Sequence, residues 1–204
     1  MYIPKPYEMN DSSAVTQFIQ ANSFGLLIST VEELPFATHL SFFYDAKQNV
    51  LLAHVARANP QWRNLNGETV LAVFSGPHAY ISPSWYEVPA SVPTWDYVAV
   101  HVYGKCSVID NDEELASLLE KMVKFYEPDS KLPQQSNENF YQNMMKAIVG
   151  FRIDISRVEG VAKLSQNKSQ EVQQRVIANL DESDDVGSKV IARLMQEGQY
   201  RQKN

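Results

Sequence analysis

Cysteine is almost missing from this sequence: among 204 residues Cys106 stands alone. One thiol excludes an internal disulfide and any zinc cluster built on several cysteines. Glycine is scarce too, with eight residues scattered along the chain, and neither a Gly-x-Gly-x-x-Gly nor a P-loop spacing occurs. His-Glu-x-x-His and Gly-x-Ser-x-Gly are likewise absent. No apolar run approaches the roughly 20 residues needed to span a bilayer. The start, Met1-Tyr2-Ile3-Pro4-Lys5-Pro6, has no basic region followed by an apolar stretch, so the expected location is the cytoplasm. Positive charge is not in surplus either: 18 Lys+Arg against 24 Asp+Glu leave a formal charge of -6. That balance lacks the footprint of a protein gripping phosphate backbones over much of its surface.

What is present is an ordinary globular composition, 44% hydrophobic and 11% aromatic. A chain of this length buries roughly 70% of its unfolded surface and needs no staples. Asn10 to Ala21, with Val15, Phe18 and Ile19 at helical spacing, predicts an opening helix. Apolar runs over Phe24 to Thr30, Phe36 to Tyr44 and Val50 to Val55 predict three strands. The Asp45–Asn49 link pairs the second and third as a hairpin. Thr69 to Phe74 supplies a fourth run, and Tyr97 to Ile109 the clearest strand. Val98, Val100, Val102, Cys106 and Val108 share one face of that strand; Tyr97, His101, Tyr103 and Lys105 share the other. Gly104 marks a bend or bulge, and Cys106 reads as a core thiol.

Asp110 with Glu113, or Asn111 with Glu114, caps a helix whose apolar stripe is Leu115, Leu118, Leu119, Met122 and Tyr126. A polar loop with Pro128 and Pro133 covers Glu127 to Asn137. A short helix follows over Phe140 to Ala147, then a strand over Ile148 to Ile155. Gln170 to Leu180 and Ser188 to Gln196 read as helices joined by the acidic run Asp181 to Asp185. Six or so strands with short links, and helices added late, predict a mainly β fold, a small antiparallel barrel decorated by helices. The expected division is one domain over 1–180, then an acidic linker and C-terminal helical extension over 181–204.

His39, His54, His78 and His101 lie far apart without metal-ligand spacing, so no metal site is expected. Three segments carry more chemistry. His54-Val55-Ala56-Arg57-Ala58-Asn59-Pro60-Gln61-Trp62-Arg63 ends a strand with donors suited to a phosphate monoester. It reads equally as an exposed Arg beside a capped turn. Phe74 to Tyr86, continuing through Trp95 to Tyr97, reads as a rigid aromatic loop whose prolines forbid regular pairing throughout. It is either a wall for a planar ligand or a barrel cap or subunit contact. Lys163-Leu164-Ser165-Gln166-Asn167-Lys168-Ser169, placed beyond the last strand, either caps a helix or fixes an anionic or heteroaromatic ligand.

These segments, with Met1-Tyr2-Ile3-Pro4, Ala37-Thr38-His39-Leu40, Gly76-Pro77-His78-Ala79-Tyr80-Ile81-Ser82-Pro83-Ser84-Trp85-Tyr86, Pro93-Thr94-Trp95, Ala147-Ile148-Val149-Gly150-Phe151 and Lys163-Leu164-Ser165-Gln166-Asn167, run in the same order as in a known family. The sequence resembles the PaiB family of FMN-binding negative transcriptional regulators over its length to about residue 180. The resemblance implies a split antiparallel β-barrel related to pyridoxamine-phosphate oxidase and flavin reductases. It also implies a homodimer with FMN held between subunits. It places Arg57 and Asn59 at the FMN phosphate with Trp62 nearby, Thr38 and His39 along the flavin ring, and Trp95 and Tyr97 flanking it. Lys163, Gln166 and Asn167 would approach from the partner subunit.

Two functions of different class follow. One is a regulatory flavoprotein; the other is a flavin-dependent oxidoreductase acting on a nicotinamide or another small substrate, where the cofactor supplies the redox chemistry. No side chain stands out as a general acid or base, with His39, His78 and His101 the candidates that titrate near neutrality. The helices carrying Lys121, Lys124 and Arg175 are acidic or mixed, so control through a partner or metabolite suits the charge better than direct DNA contact.

Overall fold

Alternating burial runs along the strands that this sequence builds from β-branched and aromatic residues. The computed structural model describes residues 1–132, 139–198 and 200. Its strands are β1 (Phe24–Val31), β2 (Leu34–Ser41), β3 (Phe43–Asp45), β4 (Val50–Ala56), β5 (Thr69–Ile81), β6 (Thr94–Ile109) and β7 (Ile148–Lys163). They form one seven-stranded sheet in the order β2-β1-β5-β6-β7-β4-β3. The helices are α1 (Ser12–Ala21), α2 (Asp112–Tyr126), α3 (Asn139–Met145), α4 (Gln170–Asp181) and α5 (Val186–Glu197). Pairing is antiparallel at β1–β2, β1–β5, β3–β4 and β4–β7, with Leu26 opposite both His39 and Val73, and His54 opposite Gly150.

The chain divides into two compact units, Met1–Phe18 with Ser75–Val100 and Glu159–Asn204, and Ile19–Phe74 with His101–Val158. In the second unit Phe42 meets Phe74 edge-on at 5.2 Å. There the buried face of α2, Leu115, Leu118 and Met122, closes over Val50, Leu52 and Ile109. Each such side chain contributes about 1.5–3 kcal/mol of burial. In the first unit α4 and α5 pack on each other. Their buried stripes are Val172, Val176, Ile177 and Leu180 on α4 and Ile191, Ala192 and Met195 on α5. Ser169 and Asp185 cap these helices with side-chain oxygens, and Gly198 ends α5 in the left-handed conformation at φ 62, which glycine adopts without Cβ strain.

Several sequence expectations are corrected. The run Phe36 to Tyr44 is not one strand but two, because the chain changes neighbours at buried Phe42: β2 pairs with β1 and β3 with β4. The Phe42 N–H donates to the Ser23 carbonyl at 2.8 Å at that break. Strand β5 does not stop at Phe74; it continues through Pro77 to Ile81, so half of the supposed aromatic loop is strand. Only Leu71 to Val73 pair with β1, so Pro77 sits where β5 has no β1 ladder to donate to, a position that tolerates proline.

Gly104 sits inside β6 on its buried face. A Cβ there would lie 2.4 Å from the Asp154 carbonyl oxygen, so glycine serves close approach. The β6 face slips after Cys106, where Val108 is half-buried and Ile109 buried. The α2 cap is Asn111, accepting from the N–H groups of Glu113 and Glu114, and not Asp110. Strand β7 runs past Ile155 to Lys163, so Lys163 lies within the strand and not beyond it. Tyr126 is 45% exposed rather than part of the core stripe, its hydroxyl donating to Ser23 Oγ at 2.8 Å. Pro133 and Asn137, the end of the predicted polar loop, lie outside the described residues.

Candidate functional site

The turn after β4 is built around a buried amide. Asn59 caps the 3-10 helix Pro60–Asn64, its Oδ1 accepting from the Gln61 N–H at 2.9 Å, with Pro60 in the first helical position where no N–H is needed. Asn59 Nδ2 donates to Thr38 Oγ1 at 2.9 Å, and that hydroxyl donates to Gln61 Oε1 at 2.6 Å. Gln61, wholly buried, spends Nε2 on Ser29 Oγ at 3.0 Å and the Phe36 carbonyl at 3.2 Å. This satisfied relay ties β1 and β2 to the turn.

Arg57 lies at the start of the same turn. Its Nε donates to the Lys146 carbonyl at 2.6 Å and its Nη2 to the Ile148 carbonyl at 2.8 Å, stapling the turn to the junction of α3 and β7. Two of its donors are thus committed to backbone, leaving Nη1. Trp62 Nε1 donates to the Arg57 carbonyl at 2.9 Å. Arg63, part of the same donor segment but not expected at the phosphate from the resemblance, places its guanidinium 5.6 Å from the Trp62 ring and has no carboxylate partner among the described residues. Its position in the short helix, three residues after Pro60, was the available signal.

On β2, exposed His39 stacks on exposed Phe24 with ring centroids 6.2 Å apart. Registers align His39, Leu26 and Val73 in one row and Ala37, Ile28 and Leu71 in the next. Leu26, Ile28, Leu71 and Val73 are only half-buried, leaving a partly open apolar face. His54, on β4, has Nδ1 buried without a hydrogen-bond partner among the described residues, and burial pushes its pKa down.

The remaining expected residues lie in the first unit. Lys163 donates to Thr94 Oγ1 at 2.7 Å, to the Trp95 carbonyl and to Asp96 Oδ1 at 3.3 Å. Asp96 is fully buried and takes a second bond from Ser165 Oγ at 2.7 Å. Burial raises the Asp96 pKa, and the Ser165 bond and the Lys163 charge oppose that rise. Gln166 folds onto its own backbone, Oε1 accepting from Leu164 N at 2.6 Å and Nε2 donating to the Ala162 carbonyl. Asn167 is exposed, Tyr97 half-buried and Trp95 53% exposed.

Trp95 joins His78, Tyr80 and Trp85 around an open chamber of about 530 Å3. The Tyr80 and Trp95 rings meet edge-on at 5.9 Å. Residues of the aromatic segment line this chamber from strand as well as turn. Asp96 was not singled out in the sequence, where a lone acid at a strand start looks like any polar edge residue. Cys106 is the buried core thiol its alternation predicts, with burial pushing its pKa up to about 12. Among the described residues no three His, Cys, Asp or Glu side chains gather to hold a metal ion.

Comparison with known proteins bears on this arrangement. Residues 1–157 match the family model described as "Putative FMN-binding domain". The chain is 38% identical over 203 residues, 97% of each protein, to the protease synthase and sporulation protein PAI 2 of Bacillus subtilis. Among solved structures it resembles an FAD and heme binding protein from Mycobacterium smegmatis, with TM-score 0.65, 12% identity and coverage of 82% of this chain and 78% of that one. It also resembles the flavocytochrome Anf3 from Azotobacter vinelandii, with TM-score 0.63, 14% identity and coverage of 76% and 69%. The fold is the split barrel, mainly antiparallel sheet with added helices.

Proposed function

This chain belongs to the family of FMN-binding domains, and from that premise we propose a cytoplasmic homodimer in which FMN lies against β2 and the turn after β4. Its function is that of a regulatory flavoprotein of the PaiB type, with FMN as cofactor. The residues fit such a group. A tricyclic ring requires an apolar surface with few polar contacts, and Leu26, Ile28, Leu71 and Val73 offer one beside His39. A phosphate monoester requires cations with donors to spare, which the Nη1 of Arg57 and the guanidinium of Arg63, without a carboxylate partner among the described residues, provide.

The observation that carries the reading is the relay from Asn59 through Thr38 to Gln61. It holds the strand bearing His39 beside the turn bearing Arg57 and Arg63. In that role Asn59 and Thr38 position the site, while Arg57, Arg63, Trp62 and His39 face the cofactor. When bound, FMN supplies reversible redox chemistry, and the chain orients it and limits its contact with water. The homodimer covers the half-buried face of β1 and β5.

Absorbance titration with FMN tests this. Wild type binds one FMN per chain at micromolar concentration, and Arg63→Ala and Arg57→Ala weaken binding about tenfold, the worth of a charge-assisted bond. Absence of binding to wild type defeats the cofactor assignment. Undiminished binding by both variants defeats the site assignment alone.

A further inference from the structure

A second site stands in the first unit, at a cleft of about 210 Å3 whose walls include Tyr7, Tyr86, Thr94, Lys163, Asn167 and Lys168. That volume lies below the roughly 300 Å3 at which pockets for drug-sized ligands begin, so it suits one small group. The Lys163 ammonium is matched by the buried Asp96 carboxylate at 3.3 Å, and the two cancel. Ser165 is held in the left-handed region at φ 54 while its hydroxyl bonds Asp96, a strained residue retained beneath the cleft.

Lys168 is the charge left over. Its ammonium lies 4.7 Å from the centre of the Tyr86 ring and has no carboxylate partner among the described residues. The Asn167 amide beside it makes no hydrogen bond to a described residue. Burial and the nearby Asp96 raise the pKa of both Tyr7 and Tyr86, and a hydrogen bond with the Ser165 side chain opposes that rise at Tyr86. The cleft therefore offers one uncompensated positive charge and an excess of donors, the complement of an oxyanion.

We propose that this cleft binds a phosphate group through Lys168 and Asn167. The source is a free phosphate, because the phosphate end of the flavin nucleotide is assigned to Arg57 and Arg63. The proposal stands apart from the assignment of the flavin ring to β2.

Thermal unfolding of the full chain without flavin, with inorganic phosphate against chloride at equal ionic strength, reads the site directly. Wild type is stabilised saturably by phosphate. Lys168→Gln and Asn167→Ala, both at exposed positions that leave the fold intact, weaken that response about tenfold or more. A parallel titration compares FMN with riboflavin. The preference for FMN survives in Lys168→Gln while the response to inorganic phosphate is lost; a variant that loses the FMN preference instead would overturn the assignment of this cleft to a free phosphate. The proposal is also overturned if phosphate stabilises wild type no more than chloride does. It is equally overturned if the variants respond to phosphate as wild type does. Failure of wild type to bind FMN at all would leave the phosphate measurement standing, so the two readings fail separately.

Discussion

Gln61 bonds Ser29 and Thr38 side chains from a position with no exposed surface. Replacing it by an apolar residue of similar size strands those hydroxyls in the interior, at a cost of about 1–3 kcal/mol for each unsatisfied group. Gln61→Leu is therefore expected to destabilise the protein by about 3 kcal/mol in urea unfolding; a loss under half that would mean the relay is dispensable. His54 behaves in the opposite sense. Burial lowers its pKa from the usual 6.5, so the folded state prefers the neutral ring. Its contribution is present above pH 6.5 and is lost as pH falls through the lowered pKa. His54→Leu removes both that loss and the unsatisfied Nδ1, and it is expected to gain about 1 kcal/mol near neutrality. Stability curves at pH 7.5 and 5.5 check this, since parallel behaviour of the two proteins would rule the imidazole out as the acid-sensitive group.

At the next scale, the β1–β2 hairpin turns on Glu32 and Glu33, both in the left-handed region at φ 50 and φ 63. Two-residue turns of this kind favour Asn-Gly because other residues meet Cβ strain there. The double substitution Glu32→Asn with Glu33→Gly is expected to raise stability by about 1 kcal/mol, measured by the shift in urea midpoint at unchanged slope. Gly104→Ala is expected to lower it by about 3 kcal/mol or more, because backbone, not a movable side chain, occupies the space a Cβ would take.

The elements differ in how plainly the sequence announces them. β6 and α2 are legible because alternation and cap residues act locally. The division between β2 and β3 is not, since the apolar run through Phe42 is unbroken and the break is imposed by Ser23, in the link between α1 and β1. β5 beyond Pro77 is hidden for the same reason: proline's missing N–H matters only where a neighbour needs it. The site divides in the same way. Asn59 declares itself as a cap, but the carbonyls that absorb two donors of Arg57 lie far along the chain at Lys146 and Ile148.

At the scale of the whole molecule, the proposed homodimer places its interface on the half-buried face of Leu26, Ile28, Leu71 and Val73. A carboxylate placed there would be desolvated without a partner on association. Ile28→Glu is expected to sediment as a monomer and to bind FMN more weakly, whereas Glu33→Gln, at the hairpin tip, should leave the mass in solution unchanged. A dimer that survives Ile28→Glu would show that subunits meet elsewhere.

The buried thiol on β6 has a practical corollary. A sulfhydryl with no exposed surface and a pKa near 12 is a poor nucleophile toward maleimides or iodoacetamide under native conditions. A single cysteine installed at Glu33 or Lys168 would then react alone, giving a dye or spin label a unique address without first deleting Cys106.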